Sequence, residues 1–587
     1  MSFFGYQKSP RLLTWLIVVG LATLVVVAAV REGPKSGTDP TTFPVWVISS
    51  LERAGPRTPA GATTSAKLFA ARGEYEAFQL VIKAPITGLR NVNVVPSALA
   101  ASIHQTISAS NITLYREHFV NVESPSPDWQ GPNRSVGVGW YPDPLIPFTD
   151  SRGKLTQGSY RAVPFDLAPG DNQPIWVEVF TPREASAGQY HGTVMITSDQ
   201  GSQQVALQLT VWDFDLPLAP SFKSCFVCWT PLNQEALEEL LKHKIMPRWA
   251  TSSGLRPTRS GERDLMDRLG LMMVDTGLWG GADRDTCTMQ PAPSVQEFQQ
   301  AAKTHEPDLY LFNYTADEIG QCKDLEGTIK QWARNMHRAG IRNLVVMSPT
   351  PELFDDGSGT GRSAVDIWVV LPMMYDNALE YVTAARKKGD EIWSYNTLVQ
   401  DRYSPKWLID YDPINLRVQA GFISQCLNLT GLFYWGIDRW TSDPWKNVNN
   451  RGMFGEGNYP GEGVLVYPGQ PAGVSGVVPS IRLKQLRDGI EDYEYVEILK
   501  KLGRGQWAVE MARSVAPDWA NWRKDPGGVE MVRQRLGEEI QRLVGRSEPA
   551  PAGRFSARSR LSKAQPGGAV VDTGRGDQRT VQVPSAR

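Results

Sequence analysis

The sequence predicts a multidomain β + α/β protein, with an N-terminal β-sandwich followed by a TIM-like (β/α)8 barrel and a C-terminal helical extension. Three observations support this fold class. Short segments in which apolar and polar residues alternate fill the first third of the chain. Eight apolar runs then alternate with helical patterns over about 220 residues, which is the strand count and size of a TIM barrel. Amphipathic helical patterns follow the last of these runs.

The domain boundaries are placed where the hydrophobic pattern of the sequence changes. We assign residues 1–43 to a membrane segment and linker, 44–217 to the β-sandwich, 218–503 to the barrel with its closing helix, 504–545 to a helical extension and 546–587 to a disordered tail. The tail is rich in Pro, Gly, Ser and Arg and has a single Phe. It therefore lacks the apolar side chains that would offset the entropy of ordering.

An uncharged stretch, residues 12–30, follows Lys8 and Arg11 near the N-terminus. A helix of this length spans the hydrocarbon core of a bilayer, which is about 30 Å thick. The positive flank of such a segment stays inside. We expect export, with the chain either anchored through residues 12–30 and its bulk periplasmic or extracellular, or secreted after this segment is cleaved as a signal peptide.

Charge and cysteine content exclude several classes of function. The net charge is −1, so no broad basic field is available to hold nucleic acid. Five Cys residues do not form a dense disulfide framework. Cys225 and Cys228 lie in a predicted strand with Cα atoms about 10 Å apart, too far for a disulfide. No second CxxC motif occurs and the six His are scattered, so we expect no metal site and no cofactor.

The barrel prediction depends on eight apolar runs of strand length. These are residues 224–229, 244–250, 271–277, 308–314, 342–348, 366–372, 391–396 and 431–437. An open doubly wound sheet is the rival architecture, but it would need a phosphate-binding glycine turn after its first strand, and CWTPLNQEA has none.

The closing helix, residues 480–503, is predicted to be amphipathic. Leu483 and Ile490 mark its apolar face. Its acids, Asp488, Glu491 and Asp492, could reach the barrel mouth or form a polar helix face paired with Arg487 or Arg482. We expect the polar face.

Candidate site residues follow from strand position, because the loops after the strand C-termini build the active site of a TIM barrel. Asp317 and Glu318 follow predicted strand 4, where they either begin a helix or do acid/base chemistry at the barrel mouth. Other candidates at strand ends are Trp229, Arg248, Trp249, Trp279, Tyr375, Asp376, Trp393, Tyr395, Asn396, Trp435, Asp438, Arg439 and Trp440. Aromatic rings stack on the C–H faces of sugars, so acids among aromatic residues indicate a carbohydrate site. The expected substrate contacts are Tyr395, Asn396, Trp435, Trp393, Tyr375, Asp438, Trp249 and Arg248.

Several motifs resemble a known bacterial family. GEYEAFQLVI, YTADE, GLFYWGIDRWTSDPW, GEGVLVYPG and IRLKQLRDGIEDYEYVEIL are similar to segments of proteins that carry the domain of unknown function 4091 and of the related glycoside hydrolase family 123, the β-N-acetylgalactosaminidases. The resemblance spans residues 44–503. It implies a β-sandwich before a TIM-like barrel and a catalytic Asp–Glu pair after strand 4, here Asp317 and Glu318.

The resemblance implies a chemical reason for the two acids being adjacent in sequence. Ordinary glycosidases hold two carboxyl groups about 5–5.5 Å apart when retaining and about 6.5–9.5 Å apart when inverting, whereas substrate-assisted enzymes use the 2-acetamido group of the sugar as nucleophile. Asp317 would then hold the acetamido N–H and stabilise the cyclic cation. Glu318 would protonate the leaving oxygen and deprotonate the water. Tyr395 could donate to the acetamido oxygen, and Trp435 could form the floor beneath the sugar.

Two alternatives stay open at the level of sequence. A two-carboxylate glycosidase on a non-acetamido sugar would use Glu318 as acid and Asp376 or Asp438 as nucleophile or base. A non-catalytic surface carbohydrate-binding protein would keep the barrel as a scaffold. In each case the expected partners are a carbohydrate (an oligosaccharide or glycoconjugate) and the membrane, with no nucleic acid.

Overall fold

The computed structural model describes residues 43–102, 104–128, 130–250 and 254–545. The predicted membrane segment, 12–30, and the predicted tail, 546–587, lie outside the described residues. Among the described helices, none combines the length and apolar character needed to cross a bilayer.

The N-terminal region is rich in β-strands, as predicted. Its strands are β1 (Val45–Ser49), β2 (Ser65–Arg72), β3 (Tyr75–Lys83), β4 (Leu89–Pro96), β5 (Leu99–Ser102), β6 (Gln105–Ile107), β7 (Ile112–Val122), β8 (Gly139–Pro147), β9 (Phe165–Leu167), β10 (Asn172–Phe180), β11 (Gly188–Ser198) and β12 (Gly201–Asp215). A short 3-10 helix, Ala109–Asn111, precedes β7. The alternation of apolar and polar side chains along these segments suits strands with one buried face.

These strands form two sheets that share one apolar core. One sheet has the order β1-β3-β10-β7-β8 with antiparallel neighbours. The other has the order β2-β12-β11-β4-β9, with the β5–β6 hairpin attached to β11. Leu80 and Val177 from the first sheet and Val194 and Leu207 from the second belong to the same buried cluster. Side chains of two inner faces meeting in one core are what hold two stacked sheets together.

The second region contains the eight parallel strands that the sequence predicts. They are β13 (Lys223–Cys228), β14 (Pro247–Trp249), β15 (Met273–Asp275), β16 (Tyr310–Asp317), β17 (Arg342–Val346), β18 (Ile367–Val370), β19 (Glu391–Ser394) and β20 (Gly431–Tyr434). Their spatial order, β14-β13-β20-β19-β18-β17-β16-β15, makes a nearly closed barrel. Each predicted run overlaps one observed strand, because strands buried on both faces read as continuous apolar segments.

Helices and short strands connect and close the barrel. The α-helices are α1 (Gln234–Lys242), α2 (Arg259–Leu269), α3 (Val295–Lys303), α4 (Glu326–Arg338), α5 (Pro372–Asn377), α6 (Leu379–Lys388), α7 (Ile414–Val418), α8 (Ser424–Cys426), α9 (Ile481–Lys501), α10 (Gly505–Val515) and α11 (Pro526–Val544). A π-helical turn, Gln419–Ile423, joins α7 to α8. The remaining elements are the hairpin β21 (Val466–Pro468) and β22 (Val477–Pro479) and the 3-10 turns Lys323–Leu325, Pro351–Leu353 and Gln470–Ala472.

Strand β16 differs from the prediction at its C-terminal end. It was expected to stop at Tyr314, but pairing with β17 continues to Asp317. The register with β17 shifts between Tyr314 and Ala316, which is a bulge. The apolar pattern does not extend over this part of the strand because it contains polar residues. Thr315, for example, is completely buried and accepts a hydrogen bond from Asn313 within the strand.

Helix α9 pairs its Asp residues with arginine, as expected, but does so in the protein interior. It is buried almost all round, including its charged residues, because it lies between the N-terminal sheets and the barrel. Asp488 pairs with the neighbouring Arg487, whereas Asp492 pairs with Arg417 of α7 at 2.7 Å. The acids of this helix are therefore internal to the junction and do not reach the barrel mouth.

Arg482 of α9 ties the two regions together. Its Nε and Nη2 atoms donate to the carboxylate of Asp143 on β8, each at 2.9 Å, and both side chains are fully buried. Asp143 also accepts from the hydroxyl of Tyr467 on β21, at 2.6 Å. A buried charge left without its partner is strongly destabilising, so the two regions are expected to unfold together.

Asp143→Asn should lower the free energy of unfolding by about 3–5 kcal/mol, because it leaves the Arg482 guanidinium buried without a counter-charge. Urea denaturation followed by circular dichroism measures this as a lower midpoint. Lys446→Met is the control, since Lys446 and Asp443 form a mostly exposed pair that contributes little to stability. An unchanged midpoint for Asp143→Asn would show that the junction does not depend on this pair.

Candidate active site

A cleft of about 1280 Å³ opens at the C-terminal ends of the barrel strands. Loops after β13 to β20 supply its walls, as in other TIM barrels. The predicted catalytic acids and substrate contacts among its lining are Asp317, Glu318, Tyr395, Trp435 and Arg248. These five come from β14, β16 and the loops after β16, β19 and β20, so the fold brings together residues up to 187 positions apart, from Arg248 to Trp435.

Backbone conformation explains how two consecutive acids face one cleft. Successive side chains of a regular strand point to opposite faces. Asp317 is the last residue of β16, and Glu318 has a left-handed backbone with φ of 50°. The Glu318 N–H still donates to the carbonyl of Val346 on β17, at 2.8 Å. A non-glycine residue in this region costs about 1–3 kcal/mol and is held by its surroundings, commonly at functional sites.

Asp317 lies in a largely desolvated position next to Glu318. Burial and the negative charge of Glu318 raise the pKa of Asp317 to about 6, opposed by a hydrogen bond from Tyr314. The backbone N–H of Tyr314 donates to Asp275 at 3.0 Å, and Asp275 in turn accepts from Arg248 Nε at 2.8 Å. Arg248 thus lines the cleft as part of a chain of contacts that leads to Asp317.

Glu318 has contacts on both of its carboxylate oxygens. The Tyr395 hydroxyl donates to Oε1 at 3.1 Å, and Arg284 is paired with Oε2. Burial and the charges of both acids raise the pKa of Tyr395 well above its usual value, so its hydroxyl keeps its proton. Tyr395 can therefore act as a hydrogen-bond donor within the cleft at any physiological pH.

Arg284 was missed by the sequence analysis. It lies in the long loop between β15 and α3, and 55% of its side chain is exposed. A disulfide between Cys287 and Cys322 joins this loop to the segment that follows Glu318. Gln321 Nε2 also donates to the Arg284 carbonyl at 3.0 Å. The proximity of Cys322 to Glu318 was the one available signal, but nothing in the sequence pointed to Cys287 as its partner.

Removing the disulfide with Cys287→Ser/Cys322→Ser should lower the free energy of unfolding by about 2–4 kcal/mol, because the unfolded chain regains the freedom of a closed loop. Activity should fall as well, since the loop that carries Arg284 is no longer joined to the Glu318 segment. Thermal unfolding with and without dithiothreitol measures the first effect. Cys426→Ser, which changes a free cysteine, is the control. Indifference of the wild type to dithiothreitol would contradict the prediction.

Trp435 forms the wall opposite the acids. Its ring meets Phe454 edge-on at 5.5 Å and Trp229 at 6.5 Å, and the Trp229 indole N–H donates to its carbonyl at 2.8 Å. Trp229 and Trp279, which were candidates by strand position, also line the cleft and are 40% and 43% exposed. Exposed aromatic faces of this kind are suited to stacking on sugar rings.

Three predicted contact residues do not line the cleft: Trp393 and Tyr375 are buried elsewhere, and Trp249 is half-buried. Trp393 is fully buried inside the barrel, where its indole N–H donates to Glu391 at 3.0 Å. Trp249 follows Arg248 on β14, faces away from the cleft lining and packs against the barrel core. Tyr375, on α5, packs edge-on against Trp519 at 5.9 Å, on the outside of the barrel.

Two further predicted contacts have structural partners. Asn396 is buried and donates from Nδ2 to Ser404 Oγ at 3.2 Å, so it holds the loop after β19. Asp438 is buried and accepts from the backbone N–H groups of Trp229 and Thr230, both at 2.8 Å, and from the Thr230 hydroxyl at 2.6 Å. It therefore shapes the loop after β13 without entering the cleft.

Neither acid of the two-carboxylate alternative lines the cleft. Asp376 accepts from the hydroxyl of Tyr403 at 2.7 Å, and Asp438 is engaged as described above. Asp317 and Glu318 are the only carboxylates among the cleft-lining residues of the described chain.

Two regions of the chain match models of known protein families. Residues 51–198 match the glycoside hydrolase 123 N-terminal domain, and residues 357–499 match the glycoside hydrolase 123 catalytic domain. The second match runs from the loop before β18 into α9, so it does not include Asp317 and Glu318. No relative was found among curated proteins by sequence comparison.

One solved structure shows the same fold. A family 123 glycoside hydrolase from Clostridium perfringens, described in terms of glycolipid glycan hydrolysis, superposes with a TM-score of 0.59 at 14% identity and covers 86% of this chain and 99% of that one. A Parabacteroides merdae β-glucuronidase covers 78% of this chain and 51% of that one at 8% identity, with a TM-score of 0.26, too low to indicate a shared fold. The two family 123 domains, carried on the fold of the Clostridium enzyme, identify this protein as a glycoside hydrolase related to family 123.

Proposed function

We propose that the protein is an exported hydrolase that cleaves a 2-acetamido-2-deoxy sugar, similar to N-acetylgalactosamine, by a substrate-assisted retaining mechanism. The observation that carries this proposal is the pair Asp317 and Glu318, two consecutive carboxylates turned into one cleft with no third carboxylate among its described lining residues. A two-carboxylate mechanism needs acids on both sides of the glycosidic bond, whereas a nucleophile supplied by the sugar needs only one acid/base and one stabilising charge.

In the first step the acetamido oxygen attacks the anomeric carbon and the bond to the leaving oxygen breaks. Glu318 gives its proton to that oxygen. Asp317 accepts the acetamido N–H, which makes the oxygen more nucleophilic, and its negative charge stabilises the cyclic oxazolinium cation that forms. With the pKa of Asp317 at about 6, this carboxyl is mostly ionised at pH 7.

In the second step Glu318, now ionised, takes a proton from water while the water oxygen attacks the anomeric carbon. The oxazolinium ring opens and restores the acetamido group. Two inversions at one carbon give net retention. Tyr395 donates to Glu318 in this structure, and we assign its hydroxyl to the acetamido oxygen in the complex, with Trp435 as the platform under the sugar.

Export is part of the proposal and rests on two observations. Residues 12–30 have the length and apolar character of a membrane segment or a long signal peptide. The Cys287–Cys322 disulfide is the second, since disulfides persist in oxidising compartments and are rare in the cytosol. Cell fractionation and protease treatment of intact cells would test both the compartment and the proposed membrane tether.

A panel of chromogenic glycosides tests the reaction. The soluble protein, residues 44–545, should hydrolyse glycosides with a 2-acetamido group and release the sugar with retained configuration, as read by NMR of the first product. A thiazoline mimic of the cyclic cation should inhibit it. Equal turnover of sugars that lack the acetamido group, with no inhibition by the thiazoline, would favour the two-carboxylate alternative.

A further inference from the structure

A three-residue loop lies directly behind the cleft wall formed by Trp435. It contains Gly461, Glu462 and Gly463, and Glu462 is only 1% exposed. Arg482 of α9 holds the loop from the other side by donating to the carbonyl of Gly461 at 2.9 Å. The loop is thus fixed to the same arginine that joins the two regions of the protein, and it is not free to move with the cleft surface.

Four donors converge on the Glu462 carboxylate. Oε1 accepts from Trp435 Nε1 at 2.6 Å, from Thr397 Oγ1 at 2.8 Å and from the Tyr434 hydroxyl at 3.3 Å. Oε2 accepts from the backbone N–H of Leu398 at 2.8 Å. Trp435, Thr397 and Leu398 all line the cleft, so one buried side chain connects the loop after β19 to the loop after β20.

Two residues next to this carboxylate have a left-handed backbone, which lets the loop approach Trp435 closely. Leu398 has a left-handed backbone with φ of 52°, a conformation that a leucine adopts only when its surroundings hold it. The bond from its N–H to Glu462 is one such restraint. Gly463 has φ of +69°, and a Cβ there would lie 2.8 Å from the Trp435 ring. A glycine at this position allows the loop to pack directly behind the indole.

We propose that Glu462 is a positioning residue for glycoside hydrolysis, which holds Trp435 and the Thr397–Leu398 turn in the geometry that binds the sugar. The inference rests on the proposed function in taking Trp435 as the sugar platform. A carboxylate suits this role because it is an acceptor on both oxygens. In glutamine one of those oxygens becomes an NH2 group, which would face a donor and leave at least one buried N–H unsatisfied.

The test compares Glu462→Gln with a matched variant at the opposite end of the barrel. Glu391 accepts from the Trp393 indole N–H at 3.0 Å and the Tyr310 hydroxyl at 2.6 Å, so Glu391→Gln perturbs the same kind of tryptophan–carboxylate contact away from the cleft. Glu462→Gln should raise KM roughly 10-fold or more with a smaller change in kcat, because misplaced binding groups can cost up to about 10²-fold. Hydrogen exchange in the peptide 396–400 should become faster.

The control should behave differently. Glu391→Gln should shift the unfolding midpoint but leave both KM and exchange at 396–400 unchanged. Trp435→Phe removes the indole donor and part of the stacking face, so it should raise KM in the same direction, and Glu462→Gln should have a smaller effect in that background than in the wild type. If Glu462→Gln does not fold, Thr397→Val takes its place, because it removes one donor to the same carboxylate and keeps the shape of the side chain.

Substrate preference separates the role of Glu462 from the proposed reaction. If the wild type prefers a sugar without an acetamido group, the proposed reaction is wrong, and the same KM comparison on that sugar still decides the role of Glu462. Unchanged KM in Glu462→Gln, or in Thr397→Val where Glu462→Gln does not fold, would overturn the inference. So would equal effects of Glu462→Gln and Glu391→Gln on KM.

Discussion

Glu318→Gln is expected to lower kcat by about 10²–10⁴-fold on glycosides with poor leaving groups, the usual contribution of a general acid. An amide cannot give a proton to the leaving oxygen, so that oxygen must depart as an alkoxide. Tyr395 and Arg284 contact the Glu318 carboxyl that would supply this proton. The same change should matter much less for a dinitrophenyl glycoside, whose leaving group is stable as an anion.

The ratio of the two losses is the measurement that identifies the acid. Steady-state kcat values for an alkyl and a dinitrophenyl glycoside, in wild type and Glu318→Gln, give that ratio. Glu352→Gln is the control, since Glu352 is an exposed glutamate in the loop after the neighbouring strand β17 and does not line the cleft. For Glu318→Ala, azide should restore turnover of the activated substrate, because azide attacks the cyclic cation without needing a base. Equal losses on both substrates would mean that Glu318 is not the proton donor.

The position of these acids could be predicted from the sequence because it depends on a simple rule. Apolar runs buried on both faces mark barrel strands, and residues just after such a run face the active-site end. The rule located Asp317, Glu318, Tyr395 and Trp435 without any knowledge of contacts. It could not show that Glu318 leaves the strand geometry, since the left-handed backbone comes from the bulge in β16 and its pairing with β17.

The aromatic residues were harder because their environment changes within one or two positions. Trp393 and Tyr395 are two residues apart, yet the first fills the barrel interior and the second reaches the cleft, since β19 ends between them at Ser394. Tyr375 follows a strand closely but lies on a helix, and the turn of that helix directs it outward. An error of one residue in a predicted strand end is therefore enough to place an interior side chain in the cleft, or a cleft side chain in the interior.

Other residues of the site gave no periodic signal at all. Arg284 and Phe454 lie in long loops, and their places depend on a disulfide and on contacts with distant segments. Glu462 lies in a motif that resembles the family, but its role follows only from the four donors around it. Contacts between segments far apart in sequence are set by tertiary packing, which local pattern does not encode.

Asp317→Asn is expected to reduce kcat/KM on every substrate, whatever its leaving group. In the proposed mechanism its charge is needed in the first step, when the cyclic cation forms, and an amide neither accepts the acetamido N–H as strongly nor balances the cation. Loss of one such stabilising group typically costs about 10²–10³-fold. The thiazoline should bind this variant more weakly than the wild type, which separates Asp317 from Glu318 by a binding measurement that involves no proton transfer.

The pH dependence should identify Asp317 in the wild type as well. Because the pKa of Asp317 is raised to about 6 and the proposed mechanism uses its ionised form, kcat/KM should fall as pH drops through about 6. This acid limb should be missing in Asp317→Asn, whose lower activity no longer depends on this ionisation. A limb that persists unchanged in the variant would assign it to another group.

Stability should change in the opposite direction to activity. A carboxyl whose folded pKa lies above its unfolded value of about 3.9 binds more protons when folded, so its ionisation costs stability as pH rises from about 4 to 6. That cost, about 3 kcal/mol at neutral pH, is absent in Asp317→Asn, because the amide does not ionise beside Glu318. Urea midpoints should therefore show the variant more stable than wild type at pH 7 and equal to it below about pH 4. If the variant is less stable at pH 7, neighbouring groups stabilise the ionised carboxylate of Asp317 in the folded protein. Its assignment as the charge that stabilises the transition state would then be wrong.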